Sequence, residues 1–223
     1  MKAASVTVSA RGSRLCGDLS LPDDARGVVL FAHGTGSSRR SPRNRAVAAR
    51  LQEAGMATLL IDLLTEEEER EERRTGHLRF DIQLLTERLS AALDRLGSDR
   101  ATRRLPVGCF GASTGAAAAL ALAGARPEQV RAVVSRGGRP DLTPDDLLAR
   151  VRAPTLLIVG ELDKPVILFN RDALMRIQAE ARLEIVPGAG HLFEEPGALE
   201  RVADLAADWF ARHLTEDPDG GDR

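Results

Sequence analysis

The stretch Leu105-Pro106-Val107-Gly108-Cys109-Phe110-Gly111-Ala112-Ser113-Thr114-Gly115-Ala116-Ala117-Ala118-Ala119-Leu120-Ala121-Leu122-Ala123-Gly124 decides the fold. Its first part, Leu105 to Phe110, is a short apolar run of the kind a strand buried on both faces needs. Its last part, Thr114 to Ala123, is alanine-rich and reads as a helix stopped at Gly124. Between them lies Gly-x-Ser-x-Gly, residues 111–115. A serine flanked by small residues at a tight strand-to-helix turn carries its hydroxyl above the sheet. The helix that follows points backbone N–H groups at the same spot.

Outward from this junction the chain alternates. Upstream, Val6-Thr7-Val8 and Arg14 to Leu21 are extended segments around the turn Ala10-Arg11-Gly12-Ser13, which predicts an antiparallel hairpin. Gly27 to Ala32 and Ala57 to Asp62 are buried strands, separated by a helix over Pro42–Ala54 that has proline at its start and Gly55 at its stop. The charged stretch Leu63 to His77 reads as a solvated loop or helical turn. Leu78 to Leu96 carries Leu78, Ile82, Leu85, Leu89, Leu93 and Leu96 on one helical face and ends at Gly97. Downstream, strands are expected over Gln129–Ser135, Pro154–Gly160 and Ala181–Val186. Helices are expected over Thr143–Arg150, Val166–Ala179 and Gly197–His213. Residues 215–223 are polar and read as a flexible C-terminal tail. A hairpin followed by βαβ alternation means an α/β domain over residues 1–214, with a mostly parallel sheet and helices on both faces.

At 223 residues and 24.0 kDa the chain suits one domain. With 31 basic and 33 acidic residues the net charge is −2, which argues against nucleic acid as a partner. No apolar run approaches the ~20 residues of a membrane span, so no membrane partner is expected. The two cysteines, Cys16 and Cys109, are too few for a disulfide scaffold and fit a cytoplasmic protein. Composition thus leaves an enzyme or a small-molecule binder, as a monomer or homodimer. The four histidines are far apart and no Cys-x-x-Cys is present, so no metal is expected.

A serine hydroxyl needs a base. Two of the four histidines follow Ser113. His213 falls near the end of the last helix, where a cationic cap is sufficient reason for it. His191 lies in Pro187-Gly188-Ala189-Gly190-His191, after the last strand, where parallel sheets build active sites. An acid that orients it belongs in the loop after Gly160. Asp163 is the first candidate and Glu161 its competitor. Oxyanion donors are expected from the N–H of Thr114 and from the loop His33-Gly34-Thr35-Gly36-Ser37-Ser38, at Thr35 first and Gly36 second. Taken alone, that loop would equally suit a phosphate. It lacks the lysine of a Walker A motif, and Arg39 breaks a dinucleotide fingerprint.

The set formed by the His33-Gly34 loop, the 111–115 motif, Gly160-Glu161-Leu162-Asp163 and Gly190-His191 resembles the α/β-hydrolase superfamily. The compact layout resembles its dienelactone-hydrolase-like branch. The stretches Ser41 to Arg45, Arg73 to Ile82 and Ser135 to Pro140 are similar to bacterial members of that branch. Some of those are fused to a phosphoribosyltransferase domain, which these residues do not read as containing. The resemblance implies a single-domain α/β-hydrolase. The dienelactone hydrolases proper use cysteine as nucleophile. Ser113 stands at that position here, so their activity is not carried over, and the serine resembles carboxylesterases. Cys109 reads as an inert core residue.

Eighteen residues separate Ser135 from Pro154, too few for a helical lid. An open site favours small or medium carboxylic esters as the small-molecule substrate. No cofactor is needed for acyl transfer. A thioesterase, lactonase or acyltransferase would use the same triad, and a non-catalytic binding module on the same fold remains open. His77 is a possible substrate contact. Arg136 and Arg139 follow a strand at its carboxyl end. Either pairs with a substrate carboxylate or phosphate, or with Asp141, Asp145 or Asp146.

Overall fold

The structure is a computed structural model that describes residues 1–214. The tail expected at 215–223 lies outside the described residues. Strands β1 (Lys2–Ala10) and β2 (Ser13–Leu21) form the expected hairpin, with Val8 opposite Leu15. Its turn places Arg11 and Gly12 at φ 45° and 85°, the backbone twist that two-residue hairpins require. β2 runs antiparallel to β4 (Met56–Ile61). From there the sheet is parallel through β3 (Gly27–Ala32), β5 (Val107–Ala112), β6 (Val130–Arg136), β7 (Thr155–Gly160) and β8 (Ala181–Val186). The spatial order is β1-β2-β4-β3-β5-β6-β7-β8. The chain steps from β3 to one side, then returns to β3's other side with β5. That reversal opens a crevice at the carboxyl ends of β3 and β5, where open α/β sheets bind ligands.

Helices cover both faces. Val28, Leu30 and Ala32 of β3 enter the layer beneath α3 (Ile82–Ser98), α4 (Thr114–Ala125) and α6 (Lys164–Arg176). Val29 and Phe31 enter the layer beneath α1 (Pro42–Glu53) and α7 (Ala198–His213). Phe31 meets Phe110 there, with ring centroids 4.9 Å apart. The period-2 alternation of the strands thus divides one apolar run between two cores. α4 is buried all round, from Thr114 to Gly124. Its alanines and glycines let it sit between the sheet, α3 and the short α5 (Asp145–Leu148). A Cβ on Gly124 would lie 2.0 Å from the Leu147 carbonyl oxygen.

The charged stretch after β4 is more ordered than expected. It forms α2 (Glu66–Thr75), opened by a capping box between Thr65 and Glu68 and closed by Gly76 at φ 68°. Two carboxylates dock it. Glu68 pairs with buried Arg88, which also donates to the Leu63 carbonyl at 2.6 Å. Glu72, only 2% exposed, accepts from Leu78 N–H at 2.7 Å and pairs with Arg79. The helix predicted from Leu78 starts instead at Ile82, because Asp81 caps it by accepting from Leu84 N–H at 2.9 Å. Residues 78–80 form a 3-10 turn.

The connection between β6 and β7 holds a 3-10 turn (Pro140–Leu142) and α5, which packs on α4. It builds no large lid. Among the described residues no helix is long and apolar enough to cross a membrane.

Candidate active site

The Gly-x-Ser-x-Gly segment is the junction of β5 and α4. Ser113 stands there at φ 51°, ψ −121°, a conformation that costs a non-glycine residue roughly 1–3 kcal/mol. Its surroundings hold it. Ser113 N–H donates to the Arg136 carbonyl at 3.2 Å, and Arg139 N–H donates to the Ser113 carbonyl at 3.2 Å. The flanking glycines are steric necessities. A Cβ on Gly111 would lie 2.4 Å from Ala116 Cα, and one on Gly115 would lie 2.3 Å from the Ala32 carbonyl oxygen.

The loop after β3 crosses this elbow. Gly34 packs so closely that a Cβ would be 2.9 Å from both Ala112 O and Ser113 Cβ. Next to it Thr35 Oγ1 and Thr114 Oγ1 share a hydrogen bond of 3.2 Å. The two residues expected to supply oxyanion donors are therefore brought together beside Ser113. Gly36 follows at φ 65° and turns the loop.

Both ends of the loop are anchored. Leu63 N–H donates to His33 Nε2 at 2.9 Å, which leaves the proton on Nδ1 to donate to the Gly34 carbonyl at 3.0 Å. That pattern requires a neutral ring. Burial lowers the His33 pKa in the same sense. At the other end Arg39 N–H donates to Asp62 Oδ1 at 2.7 Å, and its guanidinium pairs with the same carboxylate.

Opposite, β7 ends at Gly160 and α6 begins at Lys164, earlier than expected because Pro165 suits a first helical turn. Asp163 thereby stands just before α6, and its side chain makes no capping bond to the helix. Its Oδ2 accepts from His191 Nδ1 at 2.5 Å. Asp163 is largely enclosed, and His191 is 40% exposed in its side chain. Glu161 points elsewhere and accepts from Gly188 N–H at 2.8 Å. Glu195 braces the same loop by accepting from Gly190 N–H at 3.0 Å. Phe193 is buried at φ 55° and pins the turn after His191. A Cβ on Gly160 would meet the Ala189 carbonyl oxygen at 2.4 Å, so this glycine lets the histidine loop close on the strand.

The His191 ring lies over Gly137, where a Cβ would be 3.5 Å from both Nδ1 and Cε1. Gly137 follows Arg136, whose carbonyl holds the Ser113 amide. Ser113, Asp163 and His191 thus converge on the carboxyl ends of β5, β6 and β7. No hydrogen bond joins His191 to Ser113 among the described residues.

Other candidates fall outside this cluster. His77 is exposed and bonds Thr75 Oγ1 at 2.7 Å. His213 packs against Trp209, with ring centroids 4.5 Å apart and the planes tilted by 56°. Cys109 is fully buried in β5, and burial pushes its thiol up to about 12, so it offers no thiolate. Arg139 pairs with Asp141 at 2.7 Å and lies over the Phe169 ring. Arg136 is buried and makes no ion pair among the described residues. No three His, Cys, Asp or Glu side chains among the described residues gather as a metal site would need.

Of these braces, Glu195 and Phe193 have no place in the sequence reading. Nothing local marks Phe193. Glu161 was visible only as a rival to Asp163.

Comparison with known proteins agrees with this architecture. The model of the dienelactone hydrolase family matches residues 16–215. A crystal structure of a dienelactone hydrolase from Anabaena variabilis superposes with a TM-score of 0.93 at 59% identity, over 96% of this chain and 98% of that one. Carboxyl esterase 2 of Tuber melanosporum shares the fold, with a TM-score of 0.74 at 18% identity over 96% of this chain and 87% of that one. A Mycobacterium tuberculosis protein named a phosphoribosyl transferase is 56% identical over 200 residues. That match covers 90% of this chain and 44% of the relative, so the chain spans less than half of that protein's length.

Proposed function

The chain belongs to the dienelactone hydrolase family, and within it we propose a serine hydrolase that cleaves small to medium carboxylic esters through an acyl-enzyme on Ser113. The observation that carries the proposal is the elbow serine, held at φ 51° beside a His191–Asp163 pair 2.5 Å apart. Ser113 Oγ attacks the ester carbonyl carbon and its proton passes to His191 Nε2. Asp163 keeps the other proton on Nδ1 and stabilises the imidazolium that forms. The carbonyl oxygen, now negative, takes hydrogen bonds from the Thr35 and Thr114 amides. Collapse of this intermediate expels the alcohol, which receives its proton from His191. Water activated by the same histidine then hydrolyses the acyl-enzyme. The chemistry needs no cofactor.

A thioester or lactone would pass through the same steps, and an acyltransferase would replace the water with another acceptor. The transferase name of the mycobacterial relative attaches to a much longer protein and is not carried over.

The test is intact-mass labelling with a fluorophosphonate. The protein should take up one equivalent, and Ser113→Ala should take up none. A panel of esters differing in acyl length then reads the substrate size. Failure of the folded protein to label would move a non-catalytic binding role ahead of the esterase.

A further inference from the structure

The peptide that joins Gly138 to Arg139 is held at both of its polar ends. Its N–H, on Arg139, donates to the Ser113 carbonyl at 3.2 Å. Its carbonyl, on Gly138, accepts from Asn170 Nδ2 at 2.9 Å. Asn170 lies in α6 and is fully buried. Its other amide hydrogen goes to the Val166 carbonyl at 2.8 Å, one turn back in the same helix. Two carbonyls facing the nitrogen fix which way the amide points. Its oxygen is buried without a partner among the described residues. A buried amide satisfied on one side only is costly beside an apolar side chain of the same shape. The donor half of Asn170 is therefore the part with a task.

The segment it holds runs between the nucleophile and the base. The Arg136 carbonyl accepts the Ser113 N–H. Gly137, at φ 52°, lies under the His191 ring. Gly138 has no room for a side chain, since a Cβ would lie 2.0 Å from Ser135 Oγ and 2.7 Å from Ala116 Cβ. The Arg139 guanidinium lies over the ring of Phe169, the neighbour of Asn170 in α6. Residues 136–139 thus grip Ser113 by its N–H and by its carbonyl.

Ser113 stands at φ 51°, ψ −121°, a conformation that persists only when the surroundings impose it. Two successive glycines have the freest backbone of any residue pair, so the segment that grips Ser113 needs a hold from outside. Asn170 supplies it from the helix that follows Asp163. Hydrogen bonds in series also strengthen one another. A donor on the Gly138 carbonyl makes the Arg139 N–H a better donor to Ser113. One side chain ties the helix of the acid to the turn of the nucleophile.

We infer that Asn170 is a positioning residue for Ser113, acting through the Gly138–Arg139 peptide. The inference rests on the esterase reading above for its effect on rate, but the clamp itself does not.

Two variants separate the two donations. Asn170→Leu removes both. In Asn170→Ser the shorter side chain bonds the Val166 carbonyl, as serines within helices do, and does not reach Gly138. Val202→Ala, a truncation of a buried side chain in α7, controls for general loosening. All are compared with wild type well below their melting temperatures.

The first readout is amide hydrogen exchange. In both Asn170 variants the Arg139 and Ser113 amides should exchange about tenfold faster or more relative to the Leu157 amide of β7, and Val202→Ala should leave that ratio unchanged. The second is hydrolysis of 4-nitrophenyl butyrate. Both Asn170 variants should lose about ten- to a hundredfold in kcat, as a displaced reacting group does, with KM within about twofold of wild type. Val202→Ala should keep its kcat. A merely structural role predicts a lower Tm with relative exchange and kcat unchanged, and that result overturns the inference. Faster exchange with unchanged kcat overturns it too. If Asn170→Leu does not fold, Asn170→Ser decides by the same two readouts. If the wild type neither hydrolyses the ester nor takes up fluorophosphonate, the esterase reading fails, and the exchange ratio alone decides whether Asn170 holds the elbow.

Discussion

The two carboxylates after β7 allow a sharp test, because they lie two residues apart and the structure gives them different partners. Asp163 Oδ2 is 2.5 Å from His191 Nδ1, whereas Glu161 Oε2 takes the Gly188 N–H at 2.8 Å. In Asp163→Asn the amide turns either its oxygen or its NH2 toward Nδ1. The NH2 orientation makes Nδ1 an acceptor and moves the ring proton to Nε2, so that Nε2 cannot take the Ser113 proton. The oxygen orientation keeps the tautomer but removes the charge that stabilises the imidazolium. Both lower the rate. In serine hydrolases with a triad this swap costs about 10⁴-fold in kcat, or ~5.5 kcal/mol of activation free energy. Glu161→Gln keeps an amide oxygen for the Gly188 N–H and puts no change next to His191. It should cost at most a few-fold. The assay is steady-state hydrolysis of a chromogenic ester, with Tm measured on each variant to show that both are folded. If Glu161→Gln lost as much activity as Asp163→Asn at unchanged Tm, the assignment of the orienting acid would be wrong.

Two further predictions concern the frame around the site. Gly115→Ala and Gly97→Ala are the same chemical change with opposite expected signs in urea unfolding. At Gly115 the added carbon meets backbone oxygens at 2.3 and 2.4 Å, so α4 must move and the cost should be about 1–3 kcal/mol. At Gly97 nothing lies within 4 Å of the new carbon, and the better helix former should stabilise by about 0.5–1 kcal/mol. His33, whose pKa burial lowers from 6.5, should make stability fall on acidification. Below 6.5 the unfolded chain takes up a proton that the folded ring refuses, so the loss runs from there down to the lowered folded value and then stops. His33→Gln should flatten this slope between pH 7 and 5. It should not abolish it, because burial also lowers the pKa of His213.

What was legible in the sequence is what local sterics and periodicity determine. The elbow was readable because Gly111 and Gly115 are required by backbone atoms only a few residues away or in the neighbouring strand, and because apolar runs of strand length flank it. The hairpin was readable from its alternation and its Arg11-Gly12 turn. α2 was obscured by its charge, since hydropathy cannot distinguish a solvated glutamate from Glu72, which is buried against Arg79. A signal for it was nevertheless present: Thr65-Glu66-Glu67-Glu68 has the Ser/Thr-x-x-Glu spacing of a capping box.

The choice between Asp163 and Glu161 was open for a different reason. Both acids sit in one loop, and the partner of each lies in another, some 27 or 28 residues on. Only the closed fold says which reaches the ring. Arg136 is the clearest case of information that sequence cannot hold. Beside Asp141, Asp145 and Asp146 it reads as one half of an ordinary surface ion pair. In the fold Arg139 and Arg176 occupy two of those acids, and β6 runs one residue further than its apolar pattern suggests. That single residue of extra strand carries Arg136 under the loops of the site and away from solvent. A strand end set by apolar patterning alone would have left the same arginine in water, where an unpaired charge has no consequence.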